Sequence, residues 1–200
     1  MPARVIVIAG PSGSGKSRLS RRLALPVLNL DDFYKDGGDP SLPRIHLAGG
    51  EPIVDWDDPA SWLADDAVAT IEKLCTGGSA DVPVYDIADS RRTGHRVLDL
   101  GQADRFVAEG IFAQEIVAAC RERDLLAEAV CLDRPAALVF LLRLTRDLRE
   151  HRKPPWVLVR RGLHLMWQQR AVVEHARALG CRVVGIERAV AELAAGARRP

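Results

Sequence analysis

The chain has 200 residues, 48% of them hydrophobic, enough to bury a sizeable core within one domain spanning 1–200. Its 28 Lys and Arg against 27 Asp and Glu leave a net charge of +1, which gives no reason to expect a nucleic-acid or bulk-membrane partner. Cys75, Cys120, Cys131 and Cys181 are widely spaced, without a C-x-x-C pair or a secretory leader, and read as reduced core thiols of a cytoplasmic protein.

In chain order, Arg4 to Ala9 is a β-branched apolar run that predicts a buried strand, and it is far too short to span a bilayer. A helix is expected from Lys16 to about Leu25, stopped by Pro26, and then a short strand from Val27 to Leu30 that ends at Asp31-Asp32. Residues 36 to 59 are rich in Gly, Pro and Asp and read as an excursion from the core. Pro59 to Cys75 has helical spacing, with Trp62, Ala67, Ile71 and Leu74 on one face and Gly77-Gly78 at its end. Val82 to Tyr85 and Arg96 to Leu100 predict a small protruding hairpin. Phe106 to Ala108 predicts a buried strand, followed by Glu109-Gly110 and a helix to about Glu128. Val130 to Leu132 is the next strand, before a helix from Pro135 to about His151 that Pro154-Pro155 breaks. A helix from Trp156 to Ala178 and a strand from Arg182 to Val184 complete the series. Short apolar strands alternating with helices predict an α/β fold with a five-stranded parallel sheet covered by helices on both faces.

Residues 10 to 17 read Gly-Pro-Ser-Gly-Ser-Gly-Lys-Ser, a full match to G-x-x-x-x-G-K-[ST] between a strand and a helix. There the backbone N–H groups and the helix dipole can hold phosphate oxygens. The nucleotide-binding set is Gly10, Ser12, Gly13, Ser14, Gly15, Lys16, Ser17 and Arg18. Lys16 would reach the β and γ oxygens, and Ser17 would offer its hydroxyl to Mg²⁺. A Gly-rich turn with an exposed lysine is the competing reading. None of the four lysines sits in an Asn-Lys-x-Asp or Thr-Lys-x-Asp motif, which favours ATP over GTP.

Ligands of doubly wound sheets bind at the carboxyl ends of the strands, which singles out two acids. Glu109 would support Mg²⁺ opposite Ser17, and Asp31 could accept the proton of an attacking hydroxyl. A helix N-cap or a loop salt bridge is the alternative for either. Arg143, Arg146, Arg149 and Arg152 recur every third residue, and Arg143 and Arg146 are the stronger candidates to close over a transferring phosphate as a lid at about 135–153. A solvated basic face paired with Asp147 and Glu150 would give the same pattern.

In motif order, residues 4 to about 153 resemble the uridine kinase family, whose neighbours are phosphoribulokinase and bacterial pantothenate kinase. The segment Leu30-Asp31-Asp32-Phe33-Tyr34-Lys35 resembles the family's strand end, which implies Asp31 as catalytic base and Tyr34 beside a nucleoside. Asp55 to Trp62 resembles its aromatic-Asp-x-Pro segment, implying ribose contacts for Asp57, and Val82-Pro83-Val84-Tyr85-Asp86 resembles its hairpin strand, implying Tyr85 at the base pocket. Arg92, in the polar turn between the two hairpin strands, is grouped with these substrate residues. Ala108 to Phe112 resembles the acid-Gly-Ile segment with its Mg²⁺-linked Glu, and Arg143 to Asp147 the arginine-rich lid. Ser90 stands where pyrimidine-specific members carry His.

The resemblance implies a P-loop NTPase fold with an arginine lid and a small substrate-side β-hairpin in an insertion at about 36–100. It also implies phosphorylation of a small-molecule hydroxyl by ATP with Mg²⁺, foremost the 5'-hydroxyl of uridine or a related nucleoside, while Ser90 in place of the family's His predicts relaxed base preference. Another sugar or vitamin alcohol as acceptor, and a non-catalytic ATP-binding regulator, are the alternatives. Homo-oligomerisation is left open.

Overall fold

Every residue from Val5 to Ala9 is fully buried, as a strand covered on both faces requires. In the structure, a computed structural model that describes residues 2–46, 51–135 and 169–196, this run forms β1 (Arg4–Ala9). The chain continues through α1 (Lys16–Leu23), β2 (Val27–Asn29), two short paired strands β3 (Arg44–Ile45) and β4 (Ile53–Val54), and α2 (Ala64–Gly77). The hairpin β5 (Ser79–Asp86) and β6 (Arg91–Asp99) follows, then β7 (Arg105–Glu109), α3 (Val117–Glu122) and β8 (Leu126–Leu132). A helical segment α4 (169–178), β9 (Arg182–Val184) and α5 (Ile186–Gly196) end the described chain.

Five strands make a parallel sheet in the order β2-β7-β1-β8-β9, so β1 lies at its centre. Alternate residues of β1 point to opposite faces. Val5, Val7 and Ala9 pack with Ile71 and Leu74 of α2, Val117 and Cys120 of α3, and Val173 and Ala176 of α4. Ile6 and Ile8 pack with Leu19 of α1 and Ala189 and Leu193 of α5. Each such aliphatic side chain contributes roughly 1.5–3 kcal/mol by leaving water. The expected parallel sheet with helices on both faces is therefore present.

The boundaries differ where long-range pairing decides. The helix expected to reach Glu128 stops at Glu122, because Asp124 adopts a left-handed conformation (φ 54°) and Leu126 onward pairs with β1. Asp tolerates that conformation better than most residues. α1 ends at Leu23, two residues early, with Ala24 also left-handed (φ 52°) ahead of Pro26. The Pro59–Cys75 helix splits into a 3-10 turn at Pro59–Ser61, capped by the Asp58 side chain, and α2 from Ala64. The 3-10 turn Leu30–Phe33 follows β2, and the hairpin strands are longer than expected. The helix expected at Pro135–His151 and the lid arginines Arg143 and Arg146 lie outside the described residues, as does the first part of the Trp156–Ala178 helix. β3, β4 and α5 carry no expectation from the sequence.

Candidate active site

The phosphate loop leaves the C-terminal end of β1 and closes on the N-terminus of α1. Gly10 (φ 137°) is pressed against β8, and a Cβ there would stand 2.9 Å from the Leu132 carbonyl oxygen and 3.0 Å from Ser14 Oγ. No larger residue fits without displacing the backbone. Lys16 Nζ donates to the carbonyl of Gly10 (2.8 Å) and to that of Pro11 (3.4 Å), which folds the ammonium back over the loop. Ser14 is fully buried, and its Oγ has no hydrogen-bond partner among the described residues. A buried orphan hydroxyl in the phosphate loop fits an oxyanion that would satisfy it.

Glu109 ends β7, the neighbour of β1, so it faces the loop across one strand spacing. Ser17 Oγ donates to Glu109 Oε2 at 3.5 Å. Burial pushes the Glu109 carboxyl above its ordinary value, against the opposing pull of Ser17 and Lys16. Among the described residues no group of three or more His, Cys, Asp or Glu could hold a metal ion. One carboxylate and one hydroxyl beside a phosphate cradle is instead the donor set that suits Mg²⁺, which usually takes one or two carboxylates and completes its shell with phosphate oxygens and water.

Asp31 lies just beyond β2, on the far side of Glu109, and its carboxylate is pinned. Oδ1 accepts the Ile111 N–H (3.0 Å), and the Asp31 N–H donates to Asn29 Oδ1 (3.3 Å). Gly110 allows this approach: a Cβ there would lie 2.7 Å from Leu30 Cβ and 2.9 Å from Asp31 Oδ1. Trp62 Nε1 donates to the Leu30 carbonyl at 2.7 Å, fixing the same turn from below.

Beyond Asp31 the side chains become aromatic. The Tyr34 ring sits 5.7 Å from Trp56, 5.8 Å from Tyr85 and 5.9 Å from Phe112, centroid to centroid. Its hydroxyl donates to the Trp56 carbonyl at 3.2 Å. Burial raises the Tyr34 hydroxyl well above its ordinary value, and the charges of Asp31 and Asp57 push it the same way. Tyr34, Tyr85, Asp31 and Asp57 thus share one neighbourhood.

Arg92 pairs with Tyr85 across the hairpin, but its guanidinium is 3.5 Å from Asp66 of α2 and its N–H donates to Asp36 Oδ1 at 2.7 Å. Ser90 (φ 49°) packs onto Gly37, whose N–H donates to the Ser90 carbonyl at 2.7 Å. Arg18 is exposed on α1.

Sequence reasoning missed Trp56, Phe112, Asp32 and Gly110 as site residues. The first two stand inside the quoted segments Asp55–Trp62 and Ala108–Phe112, where aromatic character was the available signal. Asp32 Oδ1 accepts the Tyr85 N–H at 3.4 Å and ties the hairpin to the turn, and burial raises its carboxyl. No helix among the described residues is long and apolar enough to cross a membrane.

No family model matches the chain. It is 31% identical over 154 residues to a uridine kinase of Staphylococcus aureus (strain JH9), covering 73% of this chain and 69% of that protein. Among solved structures, a candidate fructose transport system kinase from Silicibacter sp. TM1040 superposes with a TM-score of 0.60 at 18% identity, over 92% of this chain and 88% of the other. The YGR205w protein superposes with a TM-score of 0.51 at 16% identity, over 94% and 87%. Both share the fold, and the sequence match to the staphylococcal enzyme goes further: the chain belongs to the uridine kinase family of P-loop small-molecule kinases.

Proposed function

We propose that residues 1–200 form one kinase domain that transfers the γ-phosphoryl group of ATP to the 5'-hydroxyl of uridine or a related nucleoside. The observation that carries this reading is the Asp31 carboxylate. It is held rigidly between the Ser17–Glu109 pair on one side and the Tyr34–Trp56–Tyr85 pocket on the other.

Phosphoryl transfer asks the protein mainly for positioning and charge stabilisation. The P-loop N–H groups and Lys16 hold the β and γ phosphates, and Ser14 Oγ adds a donor. Ser17 and Glu109 would hold Mg²⁺, which would supply countercharge to the phosphate oxygens. Asp31, with Oδ1 engaged by Ile111, has Oδ2 left to take the proton of the acceptor hydroxyl. As that oxygen bonds to the γ phosphorus, the bond from phosphorus to the β–γ bridging oxygen breaks and ADP leaves with the electron pair. Tyr34, Tyr85 and Trp56 offer ring faces to a base, and Asp57 offers a carboxylate to ribose hydroxyls. Arg143 and Arg146 are assigned to the covering lid at about 135–153. A supply of ATP and four unpaired, buried thiols suit the cytoplasm.

A second reading, a non-nucleoside alcohol as acceptor, is favoured by Ser90. Turned onto Gly37, it offers no ring to read a pyrimidine edge, so base discrimination should be weak. ADP release measured across uridine, cytidine, their 2'-deoxy forms, sugars and pantothenate separates the two. We expect turnover that requires an added ribonucleoside and loss of roughly 10²- to 10⁴-fold in kcat for Asp31→Asn with ATP binding retained. Turnover only with a non-nucleoside alcohol would replace the acceptor, and turnover indifferent to any acceptor would remove the kinase assignment.

A further inference from the structure

The hairpin β5–β6 is rooted through one of its strands. β5 packs into the core with Ala80 and Val82, and the Tyr85 N–H reaches Asp32. β6 pairs with β5 and with no other strand among the described residues. Successive residues of an antiparallel strand turn their N–H and C=O alternately to one side and the other. Tyr85 points its N–H away from β6, and Pro83, two residues earlier and on the same side, has no N–H to give. The hydrogen-bonded pairs of the hairpin are therefore Val82–Arg96 and Val84–Gly94. His95, opposite Pro83, and then Val97 and Asp99 turn their backbone groups to the open edge of β6. No other described segment hydrogen-bonds to these groups from its main chain.

The side chains follow the same alternation. Leu98 is buried in the core, whereas His95, Val97 and Asp99 lie on the solvent face, with Val97 68% exposed. From His95 to Asp99 the edge carries no proline, lysine or bulge, the devices that commonly keep an edge from pairing with another chain.

We infer that this edge is an interface: β6 pairs with β6 of a second copy of the chain, antiparallel, about a two-fold axis at Val97. Charge selects the register. An axis at Arg96 sets arginine against arginine, an axis at Asp99 sets carboxylate against carboxylate, and an axis at Leu98 sets Val97 against Asp99. The axis at Val97 sets valine against valine and places His95 opposite Asp99 on both sides of it. Such opposed pairs stabilise a sheet, whereas like charges face to face weaken it. Asp99 Oδ1 accepts the Gly101 N–H at 2.8 Å, and its other oxygen is left for the imidazole, which can donate in either charge state. The product is one four-stranded sheet across two copies, in place of two ribbons that are each marginal alone.

Sedimentation of the full chain over a range of concentrations tests the inference. Wild-type protein should form a dimer that dissociates on dilution. Val97→Asp sets carboxylates against each other at the axis, so it should sediment as a monomer at concentrations where wild type is dimeric. Its near-ultraviolet circular dichroism should be unchanged, because the side chain it replaces is exposed. His95→Asp should weaken the dimer by roughly 5- to 30-fold, as two attractive pairs become repulsive. The register is read separately by cysteine crosslinking, for which the four buried native thiols are a quiet background. Opposed residues of a hydrogen-bonded antiparallel pair lie about 5.5 Å apart at Cα, inside the range of about 4.4–6.8 Å that a disulfide spans. Under mild oxidation Val97→Cys should give a covalent dimer, and His95→Cys, displaced from its own copy along the strand, should not. Wild-type protein that is monomeric at every concentration would overturn the inference and leave the edge to another occupant. A dimer that survives Val97→Asp, or one that crosslinks no better through Val97→Cys than through His95→Cys, would overturn it as well.

Discussion

Glu109, the proposed Mg²⁺ ligand, is a carboxylate whose burial works against the stability of the free protein. Burial raises its carboxyl above the ordinary 4.5, so the folded state takes up a proton more readily than the unfolded chain does. A raised carboxyl contributes stability that is complete below the unfolded value and is lost as pH rises through the folded one. At pH 7 the buried charge is therefore a cost. Glu109→Gln, which mimics the protonated form, should melt a few degrees above wild type at pH 7 in the absence of metal and nucleotide. The advantage should close as pH falls to 4.5 and below. Activity with Mg²⁺ should collapse in the same variant. A melting curve for Glu109→Gln that tracks wild type at every pH would show that burial of this carboxylate costs nothing.

The hairpin β5–β6 is joined to the turn that carries Asp31, and each joint is a named bond. Tyr85 N–H reaches Asp32, the Tyr85 hydroxyl donates to the Lys35 carbonyl at 3.0 Å, Gly37 N–H reaches the Ser90 carbonyl, and Arg92 N–H reaches Asp36. The pocket wall and the proposed base therefore move as one piece. Asp36→Ala removes the shortest joint that a side chain makes, about 0.5–1.5 kcal/mol for an ordinary hydrogen bond. We expect KM for the acceptor to rise several-fold while the affinity for a non-hydrolysable ATP analogue stays at the wild-type value. If nucleotide affinity falls equally, the hairpin is not an acceptor-side element.

These joints also mark what a sequence can disclose. β1, the phosphate loop, Asp31 and Glu109 were legible because each is written in consecutive residues, a strand followed by its own loop or acid. The end of α3 was not, because Leu125 to Glu128 suit a helix locally and become strand only by pairing with β1. Arg92 was legible as a hairpin residue but not as a partner of Asp66, which belongs to another element.

At the scale of the molecule, the two apolar layers meet across the parallel sheet, whose strands β1, β7 and β8 each send side chains into both. β1 contributes to both, and its partners β7 and β8 begin pairing at Arg105 and Leu126. A fragment that stops at Asp124 keeps β7 but loses β8, β9, α4 and α5, hence every helix but α1 that covers Ile6 and Ile8. We expect that fragment to give no cooperative melting transition and no near-ultraviolet circular dichroism, whereas a cooperative transition would mean that one layer suffices. The same register sets the order of events during synthesis. Val5 to Ala9 leaves the ribosome before both of its neighbours and finds the second only after more than 100 further residues, at roughly 5–20 residues per second. Until β7 follows, an uncharged β-branched strand has both edges open, and one edge stays open until β8 arrives, which is the condition for pairing with the wrong chain. The centre of the finished sheet is thus a hazard for the nascent protein, and yield in cells should depend on how well chaperones shield β1 until its neighbours follow.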